Sequence, residues 1–391
     1  MSKTAMSFVK VGRTHLSAML AFAALGSICV GQATAQVKSI NGFTMINVPD
    51  AGPPLSGVDF VKAKPLPLPV GFTTDATQSL LSALTAPHAA GTPGYSAGGQ
   101  GVGTQSPVFL GAPETGTEDG FASQDFGTSN HPFSTARADL NGLATNRSYP
   151  YSAAGKLFFN IGSGSFICSA SMIKRGIVVT AAHCVANYGR SQFYSNWRFV
   201  PGYRGGSAPF GVQTVRQAWI KTAYFNGTDG CAQFGVVCPD DVAVLILNPT
   251  GSTYVGTFTG WFGYGWNGYG FTRTITEITQ LGYPAGLDSA SLMERDDSYG
   301  YTNSSLSNNT VIGSNMNGGS SGGPWVVNFG IAPTLTGETN GGAPSPNIVV
   351  GVTSWGSTST SPKEMGASPF TTNNIVSLVG SACGSVPSAC L

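Results

Sequence analysis

Apolar and polar positions follow two regimes that meet near Ser148. Beyond it, short apolar or alternating runs recur between turn residues: GKLFFNI (155–161), SFICSASMI (165–173), GIVVTAA (176–182) and DVAVLIL (241–247). ITEITQLGY (275–283), PWVVNF (324–329) and NIVVGVTSW (347–355) continue the series, and NNIVSLVG (373–380) reads as a short terminal helix or strand. Runs of this length, rich in Val, Ile, Phe and Thr and bounded by Gly, Pro, Asn or Ser, predict strands. Many such strands over about 240 residues predict an all-β domain, either a sandwich or a pair of barrels. WFGYGWNGYGF (261–271) is aromatic and glycine-rich and reads as a packed structural turn.

Residues 36–147 lack this periodicity. They are rich in Gly, Pro, Ala, Ser and Thr and contain no cysteine. KPLPLPVGF (64–72) reads as an extended proline-rich piece and SAGGQGVGTQSP (96–107) as linker. Such a composition struggles to bury enough surface to offset its ordering entropy, so the segment is expected to be a propeptide or low-complexity linker. The first 35 residues have the layout of an export signal. Lys3, Lys10 and Arg13 precede the apolar run Leu16–Val30, and Ala33-Thr34-Ala35 offers a cleavage site. A membrane anchor would need about 20 uninterrupted apolar residues, more than this run supplies. The expected division is therefore signal peptide 1–35, propeptide or low-complexity linker 36–147 and a folded domain 148–391.

Composition narrows the function. Hydrophobic residues make up 41% of the 391, enough for a core. Only 9% are charged and the net charge is +1, so nothing suggests binding to nucleic acid or, once the signal is removed, to an anionic membrane. Outside the signal there are six cysteines, an even number that suits an oxidising, extracellular or periplasmic compartment. Six cysteines allow 15 pairings. Sequence proximity suggests Cys168–Cys184, Cys231–Cys238 and Cys383–Cys390. Without clustered histidines or a C-x-x-C pair a zinc site is not expected, and no metal or organic cofactor is indicated.

One stretch carries candidate chemistry. NGGSSGGPW (317–325) satisfies G-x-S-x-G through Gly319, Ser321 and Gly323. A glycine-rich chain produces such clusters by chance, so its partners must decide. An α/β hydrolase would place its histidine after the serine. The histidines are His15, His88, His131 and His183, all upstream of Ser321, which excludes that reading. His183 follows an apolar strand in VVTAAHCV. Asp241 abuts the run in CPDDVAVLIL, whereas Asp240 is expected to face solvent. An isolated histidine after a strand, or an aspartate before one, is an ordinary structural feature; together with the serine they form the order His, Asp, Ser.

TAAHC (180–184), DVAVL (241–245), GGSSGGP (318–324) and VTSWG (352–356) resemble, in order and spacing, the trypsin-like serine proteases. GKLFF, CSAS, GWFGYG, LGYPAG and GSSGGPW are similar in flavour to secreted bacterial glutamyl endopeptidases. The resemblance spans roughly the last 240 residues. It implies two six-stranded antiparallel β-barrels of chymotrypsin type, with the active site between them and the low-complexity leader in front. It implies His183 as general base, Asp241 as its orienter and Ser321 as nucleophile, with Gly319 and Ser321 N–H groups as the oxyanion hole. It also implies a substrate-pairing strand at Ser354-Trp355-Gly356, with Ser354 near Asp241. Ser320 stands where the family usually has an aspartate that receives a new N-terminal amine, so maturation through that ion pair is not expected. Asn315 stands where enzymes cutting after Lys or Arg carry aspartate, and Thr353 where glutamate-specific relatives place histidine. Neither charged preference is expected, and Met316 would favour medium apolar side chains. The leading expectation is a secreted, monomeric serine endopeptidase acting on proteins or peptides. A catalytically idle binding module and a secreted esterase are the alternatives.

Overall fold

Twelve strands of the second regime close into two barrels. The computed structural model describes residues 35–70, 91–103, 105–111, 131–138, 144–272, 274–330, 343, 345–358 and 363–391. The export-signal run thus lies outside the described residues, apart from Ala35. The first barrel comprises β1 (Ala154–Ile161), β2 (Gly164–Lys174), β3 (Ile177–Thr180), β4 (Ser195–Pro201), β5 (Gln213–Lys221) and β6 (Ala243–Leu247). Its order is β5-β4-β1-β2-β3-β6, closed by pairing of β5 with β6. The second comprises β7 (Ile275–Gly282), β8 (Glu294–Asn303), β9 (Asn309–Gly313), β10 (Pro324–Val327), β11 (Ile348–Gly356) and β12 (Glu364–Ala367). Its order is β10-β7-β8-β9-β12-β11, closed by β10 with β11, so the two rings share one topology.

Closure explains the near-continuous apolar runs. Side chains on one face of a barrel strand fill its interior, and those on the other meet whatever covers the barrel outside. All five residues of β6 are buried accordingly. One core gathers Leu157, Phe158, Ile177, Val179, Val244 and Ile246; a second gathers Ile278, Ile312, Trp325, Ile348 and Met365. Each such side chain contributes roughly 1.5–3 kcal/mol through removal from water. The tail after Thr371 is helical, with an α-helix at Ser377–Ser385 that lays Leu378, Val379 and Ala382 on the first core. The three disulfides pair as sequence proximity suggests. The aromatic stretch 261–271 supplies the short strand Gly263–Trp266, parallel to β11.

The described parts of 36–147 are built onto both barrels. β4 pairs with β5 only at Gln213 and Thr214; beyond that the same edge of β5 takes the hairpin Gln36–Ile40 and Phe43–Asn47 through the register Gln217↔Asn47 to Lys221↔Phe43. In the second barrel β9 pairs with β8 from Tyr301 onward, and the leader strand Phe133–Arg137 takes Glu294–Ser298. Gly94–Ser96 joins Gly263–Trp266, and Val108–Phe109 pairs with Ser207–Ala208. The composition of this segment leaves it too little apolar surface to form a core of its own. It has no need to, because its backbone completes open strand edges and its few apolar side chains, such as Phe43, Met45 and Phe133, are buried against the barrels. Arg198 of β4 adds a clasp. Its guanidinium, 1% exposed, donates to the carbonyls of Ala51 (2.5 Å), Pro54 (3.1 Å) and Ser56 (3.0 Å).

Lys156 of β1 is a buried cation at the boundary between the barrels. Nζ donates to Ala290 O at 2.8 Å and lies 4.5 Å from the centroid of the Tyr203 ring. Burial pushes its ammonium down to about 7 from 10.5. Between those values the unfolded chain keeps a proton that the folded chain has shed, so this group makes stability rise with pH. The contribution is at most about 1.4 kcal/mol per pH unit within that window. Denaturant unfolding at pH 7, 8 and 9 should show the wild type gaining stability relative to Lys156→Met as pH rises. A difference independent of pH would mean that Nζ is not desolvated.

Candidate active site

The carboxylate of Asp241 is the meeting point of the two barrels. It is 1% exposed, at the entrance to β6. Oδ1 accepts the backbone N–H of His183 at 2.9 Å; Oδ2 accepts His183 Nδ1 at 2.8 Å and Ser354 Oγ at 2.6 Å. The Asp241 backbone N–H donates to Ser368 Oγ at 3.1 Å, and that hydroxyl donates to Cys238 O at 2.6 Å. An ionised carboxylate only accepts, so His183 carries its proton on Nδ1 and presents Nε2 as an acceptor. Asp240, by contrast, lies 3.9 Å from Lys221 and takes no part in this set. Burial and the charge of Asp241 push the nearby Tyr194 phenol up to about 12.

His183 sits in a single 3-10 turn, Ala182–Cys184, directly after β3, and the Cys168–Cys184 disulfide ties that turn to β2. Ser321 sits in the tight turn before β10. Ser169 of β2 braces this turn: its N–H donates to Ser321 O at 2.7 Å and its hydroxyl to Gly319 O at 2.9 Å. Gly322 N–H donates to Thr353 O at 2.8 Å. Two glycines here are obligatory. Gly319 has φ +97°, and a Cβ would stand 2.5 Å from Tyr283 O; Gly322 has φ +76°, and a Cβ would stand 2.0 Å from Thr180 Oγ1. His183 Nε2 and Ser321 Oγ are both buried and have no hydrogen-bond partner among the described residues. Ser320 is fully buried, with its hydroxyl donating to Asn317 O at 2.6 Å.

The other residues singled out from the sequence divide into two groups. Asn315, Met316 and Gly356 lie around the turn, and Gly319 and Gly356 aim their N–H groups at the leader, at Leu66 O (3.2 Å) and Pro69 O (3.3 Å). The side chains of Thr353 and Trp355 turn inward instead. Thr353 Oγ1 accepts from Gln280 Nε2 and Trp325 Nε1, and Trp355 Nε1 donates to Asn309 Oδ1 at 2.8 Å. Both residues are fully buried.

Behind Asn315 lies a group that no motif announced. Thr135 Oγ1, from the leader strand on β8, lies 2.7 Å from Asn315 Oδ1 and 2.5 Å from Asp296 Oδ1. One hydroxyl proton cannot serve two acceptors. The second proton comes from the Asn315 amide or from the carboxyl of Asp296, which burial raises well above its usual range. Ser368 and Thr135 were also not legible: each is distant in sequence from the residue it serves. Ser169 had a weak signal in C-S-A-S. The two groupings of potential metal ligands among the described residues each contain both cysteines of one disulfide, so neither offers a thiolate.

The chain is 27% identical over 146 residues to a glutamyl endopeptidase of Bacillus licheniformis, a match covering 37% of this chain and 40% of that protein's length. Among solved structures, the thermostable serine protease AL20 from an extremophilic microorganism is 25% identical, with TM-score 0.46, covering 56% of this chain and 92% of that one. Protease Anisep from Arthrobacter nicotinovorans is 24% identical, with TM-score 0.46 and coverages of 61% and 95%. The family model described as Trypsin matches residues 143–375, more than half of the chain, and the protein accordingly belongs to the trypsin family.

Proposed function

We propose that this chain is a secreted serine endopeptidase in which Ser321 attacks the scissile carbonyl. The observation that carries the reading is the fully engaged Asp241 carboxylate, which commits His183 Nδ1 as donor and leaves Nε2 free as a base. His183 takes the Ser321 proton, Ser321 Oγ bonds to the carbonyl carbon, and His183 returns the proton to the leaving amine. Water then repeats the cycle on the acyl-enzyme. Asp241 holds the tautomer and stabilises the imidazolium. The N–H groups of Gly319 and Ser321 receive the oxyanion.

Substrates are extended polypeptides laid along Ser354–Gly356 by backbone pairing. Trp355 contributes its main chain only, since its indole is committed inside the barrel. Neither Asn315 nor Met316 brings a charge to the side-chain pocket, burial raises the Asp296 carboxyl behind Asn315 above its usual range, and Thr353 stands where a histidine would be needed. We therefore assign a preference for medium apolar side chains rather than for glutamate, lysine or arginine. Three disulfides and the N-terminal sequence support export. The charge-poor composition, with net charge +1, supports the absence of nucleic-acid and anionic-membrane partners. Ser320, whose hydroxyl is satisfied locally by Asn317 O, supports maturation without an N-terminal ion pair.

Digestion of a proteome-derived peptide library by the protein with residues 64–70, whose carbonyls occupy Gly319 and Gly356 N–H, replaced by Gly/Ser should show cuts after Leu-sized apolar residues, read by mass spectrometry. Ser321→Ala should lower the rate by at least about 10⁴-fold. Equal cutting with and without Ser321→Ala would remove Ser321 as nucleophile, and cuts confined to glutamate would overturn the pocket assignment. Asp241→Asn should reduce kcat by about 10⁴-fold with little change in KM, because the amide fixes the wrong tautomer. Gly319→Ala should cost at least 10²–10³-fold, roughly the value of one oxyanion donor, with added strain at its positive φ. Steady-state kinetics in that same Gly/Ser background on one peptide from the library checks both; a Gly319→Ala enzyme as fast as its parent would place the oxyanion elsewhere.

A further inference from the structure

The leader segment Lys64–Val70, KPLPLPV, crosses the candidate active site. Lys64 and Pro65 pair in parallel with Phe166 and Ile167 of β2, and Leu66 N–H donates to Ile167 O at 3.0 Å. The carbonyl of Leu66 accepts from Gly319 N–H at 3.2 Å. Further along, Pro69 O accepts from Gly356 N–H at 3.3 Å, and Val70 bridges Gly356, again in parallel. Leu68 packs on the core cluster that includes Met316. The segment therefore takes up an oxyanion donor and the substrate-pairing backbone at the same time.

Its direction matters more than its position. In acyl transfer the leaving nitrogen receives its proton from His183, so the leaving half of a substrate lies on the His183 side. That side is marked by the Cys168–Cys184 disulfide and, next to it, Ile167. The acyl half lies on the other side, along Ser354–Gly356. In the leader the N-terminal residues lie beside Ile167 and the C-terminal ones beside Gly356. It runs opposite to a substrate. We propose that Lys64–Val70 is a reverse-bound occupant of the cleft, which blocks the site without being cut, and that the cleft is a binding site for proline-alternating peptides in this sense. The proposal rests on the serine endopeptidase reading above.

Chemistry explains the resistance to cutting. The carbonyl on the oxyanion donor is that of Leu66, and attack there would have to expel the nitrogen of Pro67. In the reversed direction that nitrogen lies toward Gly356, away from His183. Unprotonated, it does not leave; the C–O bond to Ser321 breaks instead, the proton returns to Ser321, and the Leu66–Pro67 bond survives. Alternating prolines suit the task in two further ways. Their fixed φ keeps the strand extended before it binds, which lowers its ordering cost. They also have no N–H to leave unpaired in the cleft. Upstream, the Arg198 clasp on Ala51–Ser56 tethers the segment and keeps its effective concentration high.

The test is the rate at which a small fluorophosphonate modifies Ser321 in the full chain, followed by intact mass. Wild type should react at least tenfold more slowly than Leu68→Asp and than a chain with residues 64–70 replaced by Gly/Ser of equal length. Synthetic KPLPLPV added to the Gly/Ser chain should restore slow labelling and be recovered whole, whereas the reversed peptide VPLPLPK should not restore it. Wild type labelling as fast as both variants, or hydrolysis of KPLPLPV at Leu-Pro, would overturn reverse blocking while leaving the peptidase reading intact. Absence of labelling in every form would defeat the peptidase reading and this inference with it.

Discussion

One buried carboxylate sets the relation between the two halves of this molecule. Asp241 lies just before the last strand of the first barrel, and its partners come from both barrels: His183 from the first and Ser354 from the second donate to its carboxylate, and Ser368 of the second accepts its backbone N–H. An unpaired carboxylate with that burial would cost several kcal/mol, and removing one partner of a buried charged set typically costs about 3–5 kcal/mol. The donors are thus required for folding as well as for orientation. Any shift of one barrel against the other would strip the carboxylate of a partner. The same constraint orients the His183 ring, so the hold on the interface and the placing of His183 Nε2 have one physical origin.

The leader is held by a different logic. Each barrel contains one long strand whose edge is paired by a barrel neighbour over part of its length, β5 in the first and β8 in the second. The leader fills the remaining edge in both. Backbone donors and acceptors there are strong, obligatory groups, and a low-complexity chain satisfies them as well as any other. Glycine and proline do not weaken this role: close approach favours the first and an extended backbone the second. The segment that reads as the least structured part of the chain thereby covers both barrels and the cleft between them.

The interior around the site is poor in charge in a consistent way. Ser320 replaces the aspartate expected from the family pattern and is satisfied by Asn317 O. Burial raises the Asp296 carboxyl behind Asn315 well above its usual range and pushes Lys156 down to about 7 near the Ala290 carbonyl. Where burial is complete, groups shed their charge unless enough donors or acceptors meet them. Asp241 is the contrasting case, with three donors aimed at its carboxylate.

Much of this was legible in the sequence. Strand-forming runs, the order His183, Asp241, Ser321 and the three cysteine pairings are local or depend only on order along the chain, so pattern and spacing report them. The tight glycine turn around Ser321 was legible for the same reason: a Cβ at 319 or 322 collides with backbone or side-chain atoms close by. What tertiary structure alone decided involves residues that meet across long sequence separations. Ser368 anchors Asp241 from 127 residues away, Thr135 reaches Asn315 across 180, and Leu66 meets Gly319 only after both barrels have closed. The direction of Lys64–Val70 is of this kind above all. Its residues specify an extended strand, but a strand can enter a cleft from either end, and only the placement of its two ends on the barrels selects one.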